Sequence, residues 1–349
     1  MTEREAAIKR LIEETIQCPE GESFTVDFYK PSDGAGVASL FYAVYGDGYP
    51  IDTIYIPECL TEENLAGRIR SVVARTGSGH VVSHIALYRS SPPNPNLYEY
   101  GLGLTLPAYR RTLAFAGGNK LLMSLLGSNG IDAIFGEAVC NHIITQKLTA
   151  RSGGTECALE PALMPADAYT TEQSARGRVG CIMSFRVDRD RPRPLCVPTA
   201  YQDQMGFIRE GLALERELVV PARHLPAGTA TLDIVRFPSA GVARCSITAS
   251  GEDLPEQLQR LEEELRHSNY ALLQCFVPLG SAWAGPVVER LREAGFFLGG
   301  YLPVWFGDDG LLMQKLFVEP CFDDMQIYSE RGKQIRNLVQ ADWVRAQLA

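Results

Sequence analysis

The sequence predicts an α/β protein of two domains. Three observations carry that expectation. The chain has 349 residues, enough for two ordinary domains that each bury a core. Short apolar or alternating runs of strand type are interleaved with stripes at helical spacing. After the charged, proline-rich stretch DRDRPRPLCVP, Asp188–Pro198, the run of elements starts again. With 46% hydrophobic and 21% charged residues, the composition is that of a globular protein.

Taken in order, Thr2 and Glu5 resemble a capping box ahead of a helix striped by Ile8, Leu11, Ile12 and Ile16. Ser23–Tyr29 alternates and reads as a first strand. Asp33 caps a second helix carrying Val37, Leu40, Phe41, Val44 and Tyr45, which runs into the glycine-rich loop YGDGYP, Tyr45–Pro50. A third helix starts near Thr61 and takes Leu65, Ile69, Val72 and Val73 on one side. Strands follow at His80–Tyr88 and Leu97–Leu106, split by the turn-rich SSPPNPN. A helix from Arg111 to Leu126 leads to a buried strand, Ile131–Val139. Next come a helix from Asn141 to Arg151, ended by Gly153 and Gly154, and strands at Thr155–Leu163 and Val179–Val187.

Asp188–Pro198 has little to bury and reads as a semi-rigid linker. Beyond it a helix, Tyr201–Leu218, precedes strands at Ala230–Phe237 and Ala240–Ala249. Leu254, Leu258, Leu261 and Leu265 stripe an acidic helix. Ala271–Leu279 is a buried strand, and Val287, Val288, Leu291 and Ala294 mark a helix ended by Gly295. A last helix, Asp323–Gln347, carries Ile335, Leu338, Val339 and Trp343 and packs back on the body or serves a homodimer.

No apolar run approaches a membrane span, and MTEREAAIKRLIEE is too charged for a signal peptide, so a cytoplasmic location is expected. The net charge of −9 argues against a nucleic-acid partner. The nine cysteines include no CxxC pair, which suggests neither a disulfide framework nor a zinc site. His80 and His84 share a strand face without a third ligand nearby, so no metal is expected.

The stretch that organises the chain is LTLPAYRRTLAFAGGNKLL, Leu104–Leu122. A short apolar strand closes at Pro107, a turn carries Tyr109, Arg110 and Arg111, and a helix opens on small residues. A strand feeding a helix N-terminus turns several unpaired N–H groups the same way, which suits phosphate. An arginine at the rim adds charge.

This stretch resembles the acyl-CoA pyrophosphate loop of the GNAT acyltransferase superfamily, whose pattern is Val-x-Pro-x-Tyr-Arg followed by Arg/Gln-x-x-Gly-x-Gly/Ala. Starting the pattern at Arg110 puts Leu113 and Phe115 at the small positions; starting at Arg111 puts Ala114 and Ala116 there. The order β-α-α-β-β-β-α-β-α-β-β over residues 23–188 is similar to that of a GNAT domain, and VVERLREAGFFLGGYLPVWF resembles the closing helix and final strands of another. The resemblance implies mixed, mostly antiparallel sheets flanked by helices. It implies an acyl-CoA-binding domain at 1–188, a linker at 189–199, a degenerate second copy at 200–322 without an arginine loop, and a closing helix at 323–349.

The activity so implied is transfer of a short acyl group, acetyl first of all, from CoA to an amine of a small molecule or protein. The alternative is a non-catalytic acyl-CoA sensor or scaffold. Leu104, Thr105, Leu106, Arg110, Arg111, Thr112, Leu113, Ala114, Phe115 and Ala116 would hold the cofactor, with Asn141 near the pantetheine. The acyl carbonyl would take an N–H of strand Tyr98–Leu106, where Gly101 and Gly103 permit a bulge.

Glu99 and Glu137 are the candidate bases on the two strands that flank the acyl group. The tyrosine that usually serves as acid is absent from NHIITQKLTAR, and His142 is the candidate substitute. Cys140 could in principle accept an acyl group, although a small buried thiol is the better account of it. Tyr45, Asp47 and Tyr49 are the candidate acceptor contacts.

Overall fold

The computed structural model describes residues 2–13, 19–49, 51–165 and 177–348. Ile16, Cys18 and Pro50 lie outside them. Two compact units divide the chain: Met1–Ser91 with Pro95–Ile134, and Pro92–Asn94 with Phe135–Ala349.

In the first unit, α1 (Glu3–Glu13) precedes β1 (Phe24–Phe28), α2 (Gly34–Tyr45), α3 (Pro57–Leu65), β2 (Ile69–Thr76), β3 (Val81–Tyr88), β4 (Leu97–Thr105) and α4 (Ala114–Met123). Neighbours β1, β2, β3 and β4 pair antiparallel. Val73 and Val72 alternate on β2, so one faces Phe41, Leu40 and Leu60 from α2 and α3, and the other faces Leu122 from α4. The capping box forms: Glu5 N–H donates to Thr2 Oγ1 at 3.2 Å and Thr2 N–H to the Glu5 carboxylate at 2.7 Å.

Three expectations are corrected here. Ile69, Val72 and Val73 belong to a strand, not a helix. Gly67, at φ 71°, ends α3, and the β-branched run that follows is paired on both sides. Ile12 is 63% exposed, because Ala7 and Leu11 are the positions α1 buries. Asp33 does stand at the N-cap of α2, but its carboxylate takes Lys30 N–H at 2.7 Å and the Arg75 guanidinium instead of a helix amide.

The second unit takes β5 (Ala133–Val139) from Phe135 onward, then α5 (Ile144–Arg151), β6 (Thr155–Met164), β7 (Val179–Val187), β8 (Arg193–Cys196), α6 (Gln202–Glu210) and β9 (Arg216–Val219). It continues with β10 (Thr231–Phe237), β11 (Val242–Ala249), α7 (Leu254–His267), β12 (Leu272–Pro278), α8 (Ala284–Glu293), β13 (Phe297–Leu302), β14 (Gly310–Leu316) and α9 (Glu330–Gln347). Strand order is β5-β7-β6-β13-β14-β12-β11-β10. β11 and β12 run parallel around the crossover helix α7; the β10–β11, β12–β14, β13–β14, β6–β13 and β6–β7 pairs are antiparallel. The element order from β11 to β14 repeats that from β4 to β7.

Each leucine of the α7 stripe is buried, which contributes about 2 kcal/mol apiece. β6 and β13 meet at Ala158 and Gly300. Gly300 has φ 146°, and a Cβ there would stand 2.3 Å from the Cys157 carbonyl oxygen, so only glycine fits.

The stretch read as a linker is not a spacer. Arg193–Cys196 pairs in parallel with Arg216–Val219, which also ends the helix expected over Tyr201–Leu218. Arg216 is fully buried between Asp190, at 2.9 Å, and Asp309. Asp309 in turn accepts from Val304 N–H at 2.9 Å, holding that residue at φ 50°. Trp305 beside it stacks on Phe276 at 5.0 Å. Helix α9 starts at Glu330, where Ser329 accepts Gly332 N–H at 2.8 Å, and packs on β13 and β6. Its buried Asp342 receives the Tyr201 hydroxyl at 2.6 Å and Leu298 N–H at 2.7 Å.

Candidate active site

The first feature is an interruption in β4. His84 pairs with Leu104 and Ala86 with Gly101, so Leu102 and Gly103 both stand opposite Ile85. This is a β-bulge, with Leu102 in the left-handed region at φ 53°. The Leu102 carbonyl accepts from His84 Nδ1 at 2.7 Å, and His84 Nε2 lies 3.0 Å from Ser71 Oγ. His84 is fully buried, and that burial pushes its pKa down from 6.5 to about 4. The ring is therefore neutral at pH 7, with Nδ1 donating and Nε2 accepting from the serine hydroxyl.

The arginine turn follows directly. Pro107–Tyr109 form a short 3-10 turn in which Tyr109 N–H donates to Leu106 at 2.9 Å. Thr112 hydroxyl donates back to the Tyr109 carbonyl at 2.7 Å and accepts Ala114 N–H at 3.2 Å. Among the described residues, the main-chain N–H groups of Arg111, Leu113, Phe115 and Ala116 donate to nothing. Arg110 Nε is turned back on the Thr105 carbonyl at 3.4 Å, whereas the exposed Arg111 pairs with no described group.

Leu113 is 76% exposed. Phe115 is half-buried and lies over Gly103, its ring 3.1 Å from where a Cβ would be. Ala114 is buried and Ala116 exposed. Leu104 and Leu106 face the α2 side of the sheet, and Thr105 is tied to Ser83 at 2.8 Å.

On that α2 side, Tyr45 and Tyr49 pack together at 5.2 Å, and Tyr49 meets Phe41 edge-on at 4.8 Å. Phe41 also lies edge-on to His84 at 5.6 Å. Arg4 fixes the loop by donating to the carbonyls of Asp47 at 2.7 Å and Tyr49 at 2.8 Å, while the Tyr55 hydroxyl holds Gly46. The loop enters through its backbone and rings; Asp47 itself contributes a carbonyl. Glu99, half-buried on β4, accepts from the Tyr88 hydroxyl, directly opposite it on β3.

The remaining candidates lie in the second unit. Glu137 is ion-paired: Arg244 of β11 holds it at 2.9 Å. The same guanidinium reaches Glu160 at 3.3 Å and Gln274 at 2.9 Å, and Gln274 donates to Glu160 at 2.6 Å. Cys140 is buried, and that burial pushes its thiol up to about 12, which leaves no thiolate for acyl transfer at neutral pH. His142 Nδ1 accepts Ile144 N–H at 3.3 Å and so caps the start of α5. Asn141 is buried, its carbonyl accepting from Gln326 at 3.0 Å.

Sequence reasoning missed three residues. His84 was weighed only as a metal ligand, although a histidine inside VVSHIALY is a polar group that must find partners once buried. Tyr88 would follow from the alternation of its strand. Arg244 has no local signal, because its carboxylate partner is 107 residues away.

No family model matches the chain, and no curated protein matches it. Several solved structures are similar to part of it. The ribosomal-protein-S5-alanine acetyltransferase of Vibrio fischeri is 11% identical with a TM-score of 0.39, covering 49% of this chain and 97% of that one. A GNAT-family acetyltransferase from Staphylococcus aureus Mu50 is 13% identical with a TM-score of 0.34, covering 48% and 100%. An aminoglycoside 6'-N-acetyltransferase complexed with coenzyme A is 12% identical with a TM-score of 0.36, covering 48% and 99%. The likeness concerns the course of about half the chain and says nothing of substrate.

Proposed function

We propose that the chain is an acyl-CoA-dependent N-acyltransferase that moves a short acyl group, acetyl first of all, to an amine by direct attack in a ternary complex. The observation that carries this reading is the β4 bulge at Leu102–Gly103, followed at once by a turn in which the N–H groups of Arg111, Leu113, Phe115 and Ala116 and the Arg111 side chain have no described partner. A bulged strand can offer an amide to a carbonyl oxygen, and a helix start with a rim arginine suits a diphosphate.

In this reading residues 1–188 bind acyl-CoA, 200–322 are a degenerate second copy, and 323–349 close the chain. The donor arrives as an activated thioester. The protein's part is to hold it, accept a proton from the attacking amine and return one to the departing thiol. Glu99, to which the Tyr88 hydroxyl donates, is the base in this reading. Glu137 serves as a fixed carboxylate under Arg244, and Tyr45, Asp47 and Tyr49 border the acceptor.

A non-catalytic acyl-CoA sensor is favoured by one observation: α5, ITQKLTAR, has no tyrosine to protonate the thiol. Two measurements decide. Acetyl-CoA at a hundred times its Kd should add about 2.7 kcal/mol of stability, read as a rise in Tm. Thiol release with a panel of amines then separates the enzyme from the sensor, and a melting curve that acetyl-CoA leaves unmoved rejects both.

A further inference from the structure

We propose that His84 is a positioning residue that aims the Gly103 N–H at the acyl carbonyl of the donor, an inference that rests on the acyl-CoA reading above. The peptide between Leu102 and Gly103 is planar and trans, so its C=O and N–H point in opposite directions. His84 Nδ1 takes the Leu102 oxygen at 2.7 Å, on the α2 side of the sheet. The Gly103 N–H of the same plane is thereby turned away from His84. Neither Leu102 nor Gly103 has a partner in the β3–β4 register, and Gly103 is exposed.

Leucine disfavours the left-handed conformation that this orientation requires. The buried bond to His84 compensates, since an unmet carbonyl at that depth would be costly. The Leu102 carbonyl, an acceptor only, requires the proton on Nδ1, and the Ser71 hydroxyl complements that tautomer by donating to Nε2. Phe41 rests its edge on the same imidazole and carries Tyr49 on its other side. The acceptor loop and the donor strand are thus braced against one ring.

Acetyl-CoA and CoA itself, which has no acyl carbonyl, are titrated calorimetrically into the full chain and into His84→Phe and Ser71→Ala. His84→Phe should lose about tenfold or more in acetyl-CoA affinity while its CoA affinity stays within about twofold. Ser71→Ala, a milder change that spares the fold if His84→Phe does not, should show the same split to a smaller degree. Equal losses for the two ligands, or none, overturn the inference and leave the acyl-CoA reading standing. Failure of the unmodified chain to bind either ligand overturns both. Independently of any ligand, 15N shifts of the His84 ring at pH 7 must report the neutral Nδ1–H tautomer; the Nε2–H form or the cation overturns the inference.

Discussion

The Tyr88 hydroxyl donates to the Glu99 carboxylate across directly paired positions of β3 and β4. Gly101, next on the same face, would set a Cβ 3.1 Å from the Tyr88 ring, so that ring is held over the strand. If Glu99 receives the amine proton, Glu99→Gln keeps the shape and removes the acceptor. Thiol release should then fall about a hundredfold with acetyl-CoA affinity nearly unchanged. Tyr88→Phe should cost about tenfold through loss of orientation. A rate untouched by Glu99→Gln would move the proton transfer elsewhere.

The two arginines of the turn should behave differently. Arg111 has no described partner, and Arg110 leans on the Thr105 carbonyl. Arg111→Ala should raise the acetyl-CoA Kd about tenfold or more, as expected for a lost charged hydrogen bond, and Arg110→Ala should do less. Equal, small effects would put the diphosphate at another place on the chain.

Acid should loosen the fold through His84. Its pKa is about 4 when buried and 6.5 when free, so the unfolded chain binds the extra proton first as pH falls. Stability from this group is complete above pH 6.5 and is lost progressively down to about pH 4, by about 3 kcal/mol. The facing charge is Asp33, already engaged by Arg75. Urea midpoints for the native chain and His84→Phe across this range measure the effect; a parallel pH dependence in the two would refute it.

Removing Arg244 should take away the cation that Glu137 and Glu160 share. Glu160 is fully buried and Glu137 nearly so, and one guanidinium serves both. Arg244→Met should cost about 3–5 kcal/mol in denaturant melts. Adding Glu160→Gln to it should recover a good part, because the buried charge is then gone. A double variant no more stable than Arg244→Met would mean the pair contributes by packing alone.

Much of the fold was legible because burial leaves a periodic trace. The leucine stripe of α7 and the blocks of β5 and β12 follow from it. β2 was not legible, since Ile69, Val72 and Val73 fit a helical face as well as a strand paired on both sides. β8 and β9 were missed because a four-residue strand in a charged stretch is stabilised by Arg216 and Asp309, not by its own composition.

At the site, Gly101 and Gly103 pointed to the bulge, yet the left-handed residue is Leu102 between them. Its conformation depends on a histidine of the neighbouring strand, which no local pattern encodes. The ion pair of Glu137 lies beyond local pattern for the same reason.

The seam between β6 and β13 bears on how the protein can be cut. With Gly300 seated against Cys157 and Ala158, the third strand of one run is the shield of the third strand of the other. A fragment stopped after residue 188 would present β6 as a bare edge rich in buried-type residues, a template for aggregation. Gly300→Val should have the same effect in the intact chain by forcing the seam apart. Neither the part before residue 188 nor the part after it is therefore expected to be recovered as a monomer alone.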